Sequence, residues 1–327
     1  MILSKTTGAL KAQTQTKAWP YVIIFVGLLI GAAGPIFIRL AQSEGIPSLV
    51  VTAIRQVLAV ILLTPFILSN YRHELRHLAA RDLLFAALTG VVLALRFVLL
   101  FEAFNNTSVL IAGVLNGSGP LWVALTEILF LKTTFDRKFW LGLILALAGG
   151  AIIGLAGFDG GSSLGNNPTL GVLYALGSAL LSAFYLNVGR SVRARVSFWP
   201  YLWLIFLFAG IASLVAVFAA GQSLTGYSPQ GYVWLVILTI TAQLVGHGSM
   251  NYALAYVAAT FVSISAQMGN VISATLAFLF FAELPGPLQF LGSVVIIAGV
   301  IFSIVGKSQS KVIDQKPDQE VTGPRAG

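Results

Sequence analysis

The chain contains no cysteine. Disulfides, thiolate metal sites, iron–sulfur ligation and a cysteine nucleophile are all excluded. Charge is the next scarcity: Asp, Glu, Lys and Arg make up 9% of the residues, against about 25% in an ordinary soluble domain. No Asp falls inside any of the long apolar runs, Asp82 lying at an edge, and His247 is the single histidine within them. Without paired aspartates or a histidine cluster, an intramembrane enzyme is not expected. No polar segment is long enough for a nucleotide domain, so a primary pump is not expected either, and no cofactor or metal is implied.

What the chain has in quantity is hydrophobicity, with 57% apolar residues and a mean hydropathy of +0.90. No water-soluble core absorbs that much. Apolar runs occur at about 20–40, 48–69, 83–102, 108–131, 139–156, 169–188, 199–220, 231–251, 257–281 and 287–306. At 1.5 Å per residue each reaches roughly 30 Å, the hydrocarbon thickness of a bilayer. The expectation is an all-α integral membrane protein with ten transmembrane helices.

All Lys and Arg except Arg39, Arg55 and Arg96 fall in alternate gaps between the runs or in the termini. They form the groups Lys5, Lys11 and Lys17; Arg72, Arg76 and Arg81; Lys132, Arg137 and Lys138; Arg190, Arg193 and Arg195; and Lys307, Lys311, Lys316 and Arg325. The intervening gaps hold acids and neutrals, among them Glu44, Asp159 and Glu283. By the positive-inside rule the cationic gaps and both termini are cytoplasmic, in a bacterial-type inner membrane. The net charge of +8 then reflects loops facing anionic headgroups rather than a nucleic-acid partner. Arg39, at the outer edge of the first run, is expected to snorkel or to pair with Glu44.

Offsetting the chain by 150 residues against itself superposes Leu129-Phe130 on Leu279-Phe280, Leu141-Gly142 on Leu291-Gly292 and Ala148-Gly149 on Ala298-Gly299. Five spans per copy is an odd number, so two copies must enter the membrane from opposite sides. The expected organisation is a cytoplasmic arm at 1–19, a first five-helix repeat at 20–156 and a periplasmic linker at 157–168. A second, inverted repeat follows at 169–306, with a disordered cytoplasmic tail at 307–327. The glycine-rich linker lacks the Lys and flanking strand of a phosphate loop. The first run exceeds a signal-peptide core and is expected to remain as an anchor.

Polar residues inside the runs are the candidate site. Arg96 is open to two readings, contact with an anionic ligand or an ion pair with Glu102 or Glu127. Asn116, Pro120 and Glu127 share one stripe of the fourth run, where Pro120 frees a backbone carbonyl. Glu127 reads as an interfacial carboxylate near Lys132 or as a proton-coupling acid. In the eighth run Gln243, His247 and Asn251 recur every four residues, either lining a cavity or bonding between helices. His247 is a second candidate for the proton. Ser263, Gln267 and Asn270 form a similar stripe in the ninth run, and Tyr185 and Asn187 add polar groups in the sixth.

Several of these features lie in recognisable segments. The stretch Asn251-Tyr-Ala-Leu-Ala-Tyr-Val-Ala-Ala-Thr260, then Phe280-Phe-Ala-Glu283 and the Gly292 to Gly299 span, resembles the EamA-type domain of the drug/metabolite transporter superfamily. Arg55 in Thr52-Ala-Ile-Arg-Gln, and Gly246-His247 with Asn251, resemble that family's second and eighth spans. Thr133 stands where the first repeat of the family usually carries Glu, and Asn270 where the first repeat here has Pro120. The resemblance implies ten helices in two inverted repeats around a central cavity. It also implies structural roles for Arg55, Glu283, Gly142 and Gly292, and export of a small molecule without ATP hydrolysis. Flipping of a lipid-linked headgroup, or a non-transporting sensor or assembly role, stays open at this point, as does a homodimer.

Overall fold

The computed structural model describes residues 19–106, 115–156, 167–281, 287–306 and 308–309. Glu283, Asp159, the three arm lysines, most of the 157–168 linker and the side chain of Asn270 lie outside the described residues. The chain forms α1 (Trp19–Ser43), α2 (Ser48–Asn70), α3 (Ala80–Asn106), α4 (Gly119–Leu131), α5 (Arg137–Ala156), α6 (Pro168–Arg193), α7 (Phe198–Ala219), α8 (Pro229–Ala253), α9 (Ala259–Phe281) and α10 (Pro287–Val305). Among the described residues six of them, α1 to α3 and α6 to α8, contain stretches long and apolar enough to cross a membrane. Large apolar side chains such as Phe25, Leu129, Phe130 and Phe290 project outward, which suits hydrocarbon rather than water as the surrounding solvent.

Local chemistry sets the helix ends. Proline occupies the first turn of α4, α6 and α8, where its missing N–H costs nothing. Asn167 caps α6 by accepting from the Leu170 amide at 3.1 Å, and Ser228 caps α8 by accepting from the Gly231 amide at 3.1 Å. Lys132, at φ 50°, closes α4 in a left-handed turn. Beyond it Thr134–Phe135 pairs antiparallel with Ser308–Gln309, tying the α4–α5 loop to the end of the second repeat.

The packing follows one two-fold scheme. Helices α2 and α7, α4 and α9, and α5 and α10 pack on each other, while α3 packs on α6 and α1 on α8. Adding five to every helix number returns the same set. The tightest crossing shows why glycine is needed there. A Cβ on Gly142 would lie 2.6 Å from the Gly299 carbonyl oxygen, and one on Gly149 would lie 2.7 Å from that of Gly292. The two backbones touch with no side chain between them, and lipid-solvated helices associate through such approaches. Because the 150-residue offset carries Gly142 onto Gly292 and Gly149 onto Gly299, these two contacts are symmetry copies of each other, and α5 and α10 run antiparallel. The α1–α8 crossing is built alike, with Gly31 against Gly246 and Gly27 against Ser249.

Three of the described spans depart from regular helix. The first turns at Ala32–Ala33 before Gly34–Ser43, which has Pro35 in its first turn. In the fourth, residues 115–117 are helical, the chain turns at Ser118, and Gly119–Leu131 follows with Pro120 in its first turn. In the eighth, Thr239–His247 widens into π-helix with i→i+5 bonding, a rare form that concentrates at functional sites.

Candidate functional site

A cavity of about 390 Å³ lies among α3, α4, α5, α6, α8 and α9. Its wall brings together seven of the polar or backbone-perturbing residues singled out in the sequence: Arg96, Asn116, Pro120, Tyr185, His247, Ser263 and Gln267. They come from both repeats and are held by bonds between helices. The Ser178 hydroxyl donates to the Arg96 carbonyl at 3.0 Å and to the Asn116 side-chain oxygen at 3.1 Å, fixing α3 and the start of α4 on α6. The Gln267 amide donates to the Gly117 carbonyl at 2.9 Å, so the break before Pro120 is satisfied from the opposite repeat.

The remaining candidates lie behind this wall. Gln243 donates to Gln56 at 2.7 Å and stitches α8 to α2. The Asn251 amide donates to the Tyr185 hydroxyl at 2.6 Å and to the His247 carbonyl at 2.7 Å. Gln243, His247 and Asn251 therefore do not form one stripe, because the widened turns of 239–247 rotate Gln243 away. Asn187 donates to Thr126 Oγ1 at 2.6 Å and to the Val123 carbonyl. It also borders a separate, mainly apolar groove of about 780 Å³ that has Arg81 and Arg195 at one end.

The charges are placed differently from expectation. Glu127 is fully buried and is no interfacial carboxylate. It pairs with Arg190, accepts the amides of Ala259 at 3.2 Å and Thr260 at 3.1 Å, and accepts the Thr260 hydroxyl at 2.6 Å. An anion at the N-terminus of α9 satisfies N–H groups that have no helical partner and complements the helix dipole. Arg190 and Arg193, expected in a solvated cytoplasmic gap, are buried in the last turn of α6, and Arg193 donates to the Asn251 carbonyl at 3.3 Å. Together these bonds make a polar layer joining α4, α6, α8 and α9 below the cavity. The Glu44 carboxylate accepts the Ser228 hydroxyl at 2.5 Å.

Arg96 pairs with neither Glu102 nor Glu127. Its guanidinium lies 5.2 Å from the Phe97 ring centre, and that of Arg55 lies 4.3 Å from the same ring. The His247 ring meets Phe97 edge-on at 6.3 Å. Arg55 is thus buried against α3 rather than snorkelling outward. Insertion scales put an arginine at membrane depth at about 2.5–3.5 kcal/mol, and a cation–π contact returns about 0.5–2. Phe97, Ser178, Thr260 and the Arg190 pairing were not singled out in the sequence. Phe97 had no signal beyond adjacency to Arg96, and the others act through partners distant in the chain.

With the geometry in place, the comparison with known proteins is direct. The EamA-like transporter family profile matches residues 18–155 and again 169–305. The chain belongs to the EamA-like transporter family. Relatives at the sequence level are themselves described as transporters. YxxF of Bacillus subtilis is 24% identical over 81% of this chain and 84% of its own, and YdfC of the same organism is 23% identical over 59% of this chain. The chain spans only 61% of YdfC. The pseudopaline exporter CntI of Pseudomonas aeruginosa is 26% identical over 65% of this chain and 72% of its own. A crystal structure that is 16% identical superposes with a TM-score of 0.72 over 88% of this chain and 98% of that one, a likeness of fold. As an EamA-like transporter the chain is a membrane protein, with two copies of the family domain arranged around the cavity.

Proposed function

We propose that the chain is a secondary carrier that exports a small metabolite or amphipathic organic compound by alternating access. In this reading all ten helices span a bacterial inner membrane, with both termini in the cytoplasm. The observation that carries it is the cavity itself, lined from both repeats and underlain by one polar layer. At about 390 Å³ it sits at the small end of the range for ligand pockets, about 300–1,000 Å³. Two inverted repeats meeting at a site is the arrangement in which rocking of one against the other exposes it to each side in turn. Outward direction is supported by the exporter among the relatives. Coupling to protons would act at Glu127, whose charge holds the layer closed, or at His247 in the cavity wall.

The test is reconstitution into liposomes, with uptake and counterflow measured for pooled labelled metabolites. Saturable exchange is expected. Folded protein that moves nothing would favour a sensor or assembly role. The apolar groove with Arg81 and Arg195 at one end favours one second reading, a flippase for a lipid-linked headgroup. Scrambling of a labelled lipid without exchange of any soluble compound would select it.

A further inference from the structure

The cavity has an unbalanced charge. Among the described residues no Asp or Glu lines it, whereas Arg96 does. Glu127 is taken up by Arg190 and Asp82 by Arg195, and among the described residues no ion pair reaches Arg55 or Arg96. Both guanidiniums instead share the Phe97 ring, and the Nε of each is buried without a hydrogen-bond partner. The ring's π face attracts a cation but carries no net charge, so two like charges remain within Coulomb reach in a low-dielectric interior.

The neutral wall leans the same way. The Asn116 side-chain oxygen is taken by Ser178, which leaves its amide nitrogen as a donor. The Ser182 and Ser263 hydroxyls line the same space. A guanidinium fork, an amide and two hydroxyls suit an oxyanion, since arginine presents planar paired donors to carboxylate or phosphate. A cationic ligand would add a third like charge.

We propose that the cavity takes a small organic oxyanion, a carboxylate or phosphate ester, gripped by Arg96 with Arg55 as the second compensating cation. This rests on the carrier reading in taking the cavity as the substrate site. The anion neutralises charge that the protein leaves open, so the loaded carrier crosses its occluded state with less uncompensated charge than the empty one. That difference biases the cycle toward movement with substrate aboard.

Thermal-shift measurements on the purified full-length protein test it without requiring transport. The probes are succinate, citrate, glutarate and glycerol 3-phosphate, each beside an uncharged partner: succinamide, citramide, glutaramide and glycerol. At least one oxyanion should stabilise the wild type saturably, with its uncharged partner at least about 100-fold weaker. Arg96→Lys should weaken that binding about tenfold or more, because the paired donors are lost while the charge stays; Arg96→Ala should abolish it. If Arg96→Ala fails to fold, the acid-against-amide comparison in the wild type decides alone. Uncharged partners binding as well as the acids, failure of all four oxyanions, or oxyanion binding that persists in Arg96→Ala would each overturn the proposal. Liposome exchange separates the two readings. Oxyanion binding without any exchange sinks the carrier and leaves the anion site, whereas exchange of a neutral compound by Arg96→Ala sinks the anion site and leaves the carrier.

Discussion

Arg190→Ala removes the cation from the buried pair with Glu127, and the consequence can be worked through. Deleting one partner of a buried ion pair costs about 3–5 kcal/mol, because the other charge is left desolvated. Here Glu127 keeps three donors, from the Ala259 and Thr260 amides and the Thr260 hydroxyl, so the low end, about 3 kcal/mol, is expected. That cost falls only on the state in which α4, α6 and α9 touch. Alternating access requires another state in which they part and water reaches Glu127. At about 1.4 kcal/mol per tenfold, the cytoplasm-open state should gain roughly 100-fold in relative population. The absence of cysteine makes the readout clean. Met250→Cys places a single thiol on the cavity wall, and an impermeant maleimide is applied to the cytoplasmic face of inverted vesicles. Labelling should be at least tenfold faster with Arg190→Ala, and the protein should melt earlier in detergent. The double replacement Glu127→Met with Arg190→Met, which leaves no orphan charge, should recover most of the melting temperature. Unchanged melting and unchanged labelling in Arg190→Ala would show that the pair does not hold this face shut.

Gly142→Leu puts a side chain where a Cβ already lies 2.6 Å from the Gly299 carbonyl. Folded yield by size-exclusion chromatography should collapse, overpacking against backbone costing at least about 1–3 kcal/mol, and wild-type yield would disprove the close crossing. Gln243→Ala leaves Gln56 unpartnered at the α2–α8 contact and should lower stability by about 1–3 kcal/mol, whereas His247→Ala should lose transport with near-normal melting. The reverse pattern would move the binding site to the α2–α8 seam. Fluorescent reporters fused after Arg76, Lys138 and Arg195 should all fold in the cytoplasm, and alkaline phosphatase fused there should stay inactive. An active phosphatase after Arg195 alone would contradict the inverted arrangement of the repeats.

Helix limits were largely legible because bilayer thickness and capping chemistry act locally. The run at 48–69 is the helix Ser48–Asn70, and that at 199–220 is Phe198–Ala219. In the fourth run the turn at Ser118 precedes Gly119-Pro120, a signal that reads equally as a kink or a start, and Gln267 takes up the Gly117 carbonyl there. Arg96, Tyr185, His247 and Gln267 could be picked out since a polar side chain in hydrocarbon has to face protein or water. Which of the two it faces is not a local property. The four-residue spacing of Gln243, His247 and Asn251 assumed α-helix throughout, and nothing in Thr239–His247 marks its wider turns. Glu127 shows the same limit in electrostatic form. By position it is a carboxylate near a helix end, yet its cation lies 63 residues further along the chain and its helix-terminal donors 132 and 133 residues away, in the second repeat. The same residue thus reads as a proton carrier from its own helix and as an anchor from its neighbours. In the proposed carrier, opening the layer would part Glu127 from its partners in the second repeat, and one residue would then serve both roles in turn.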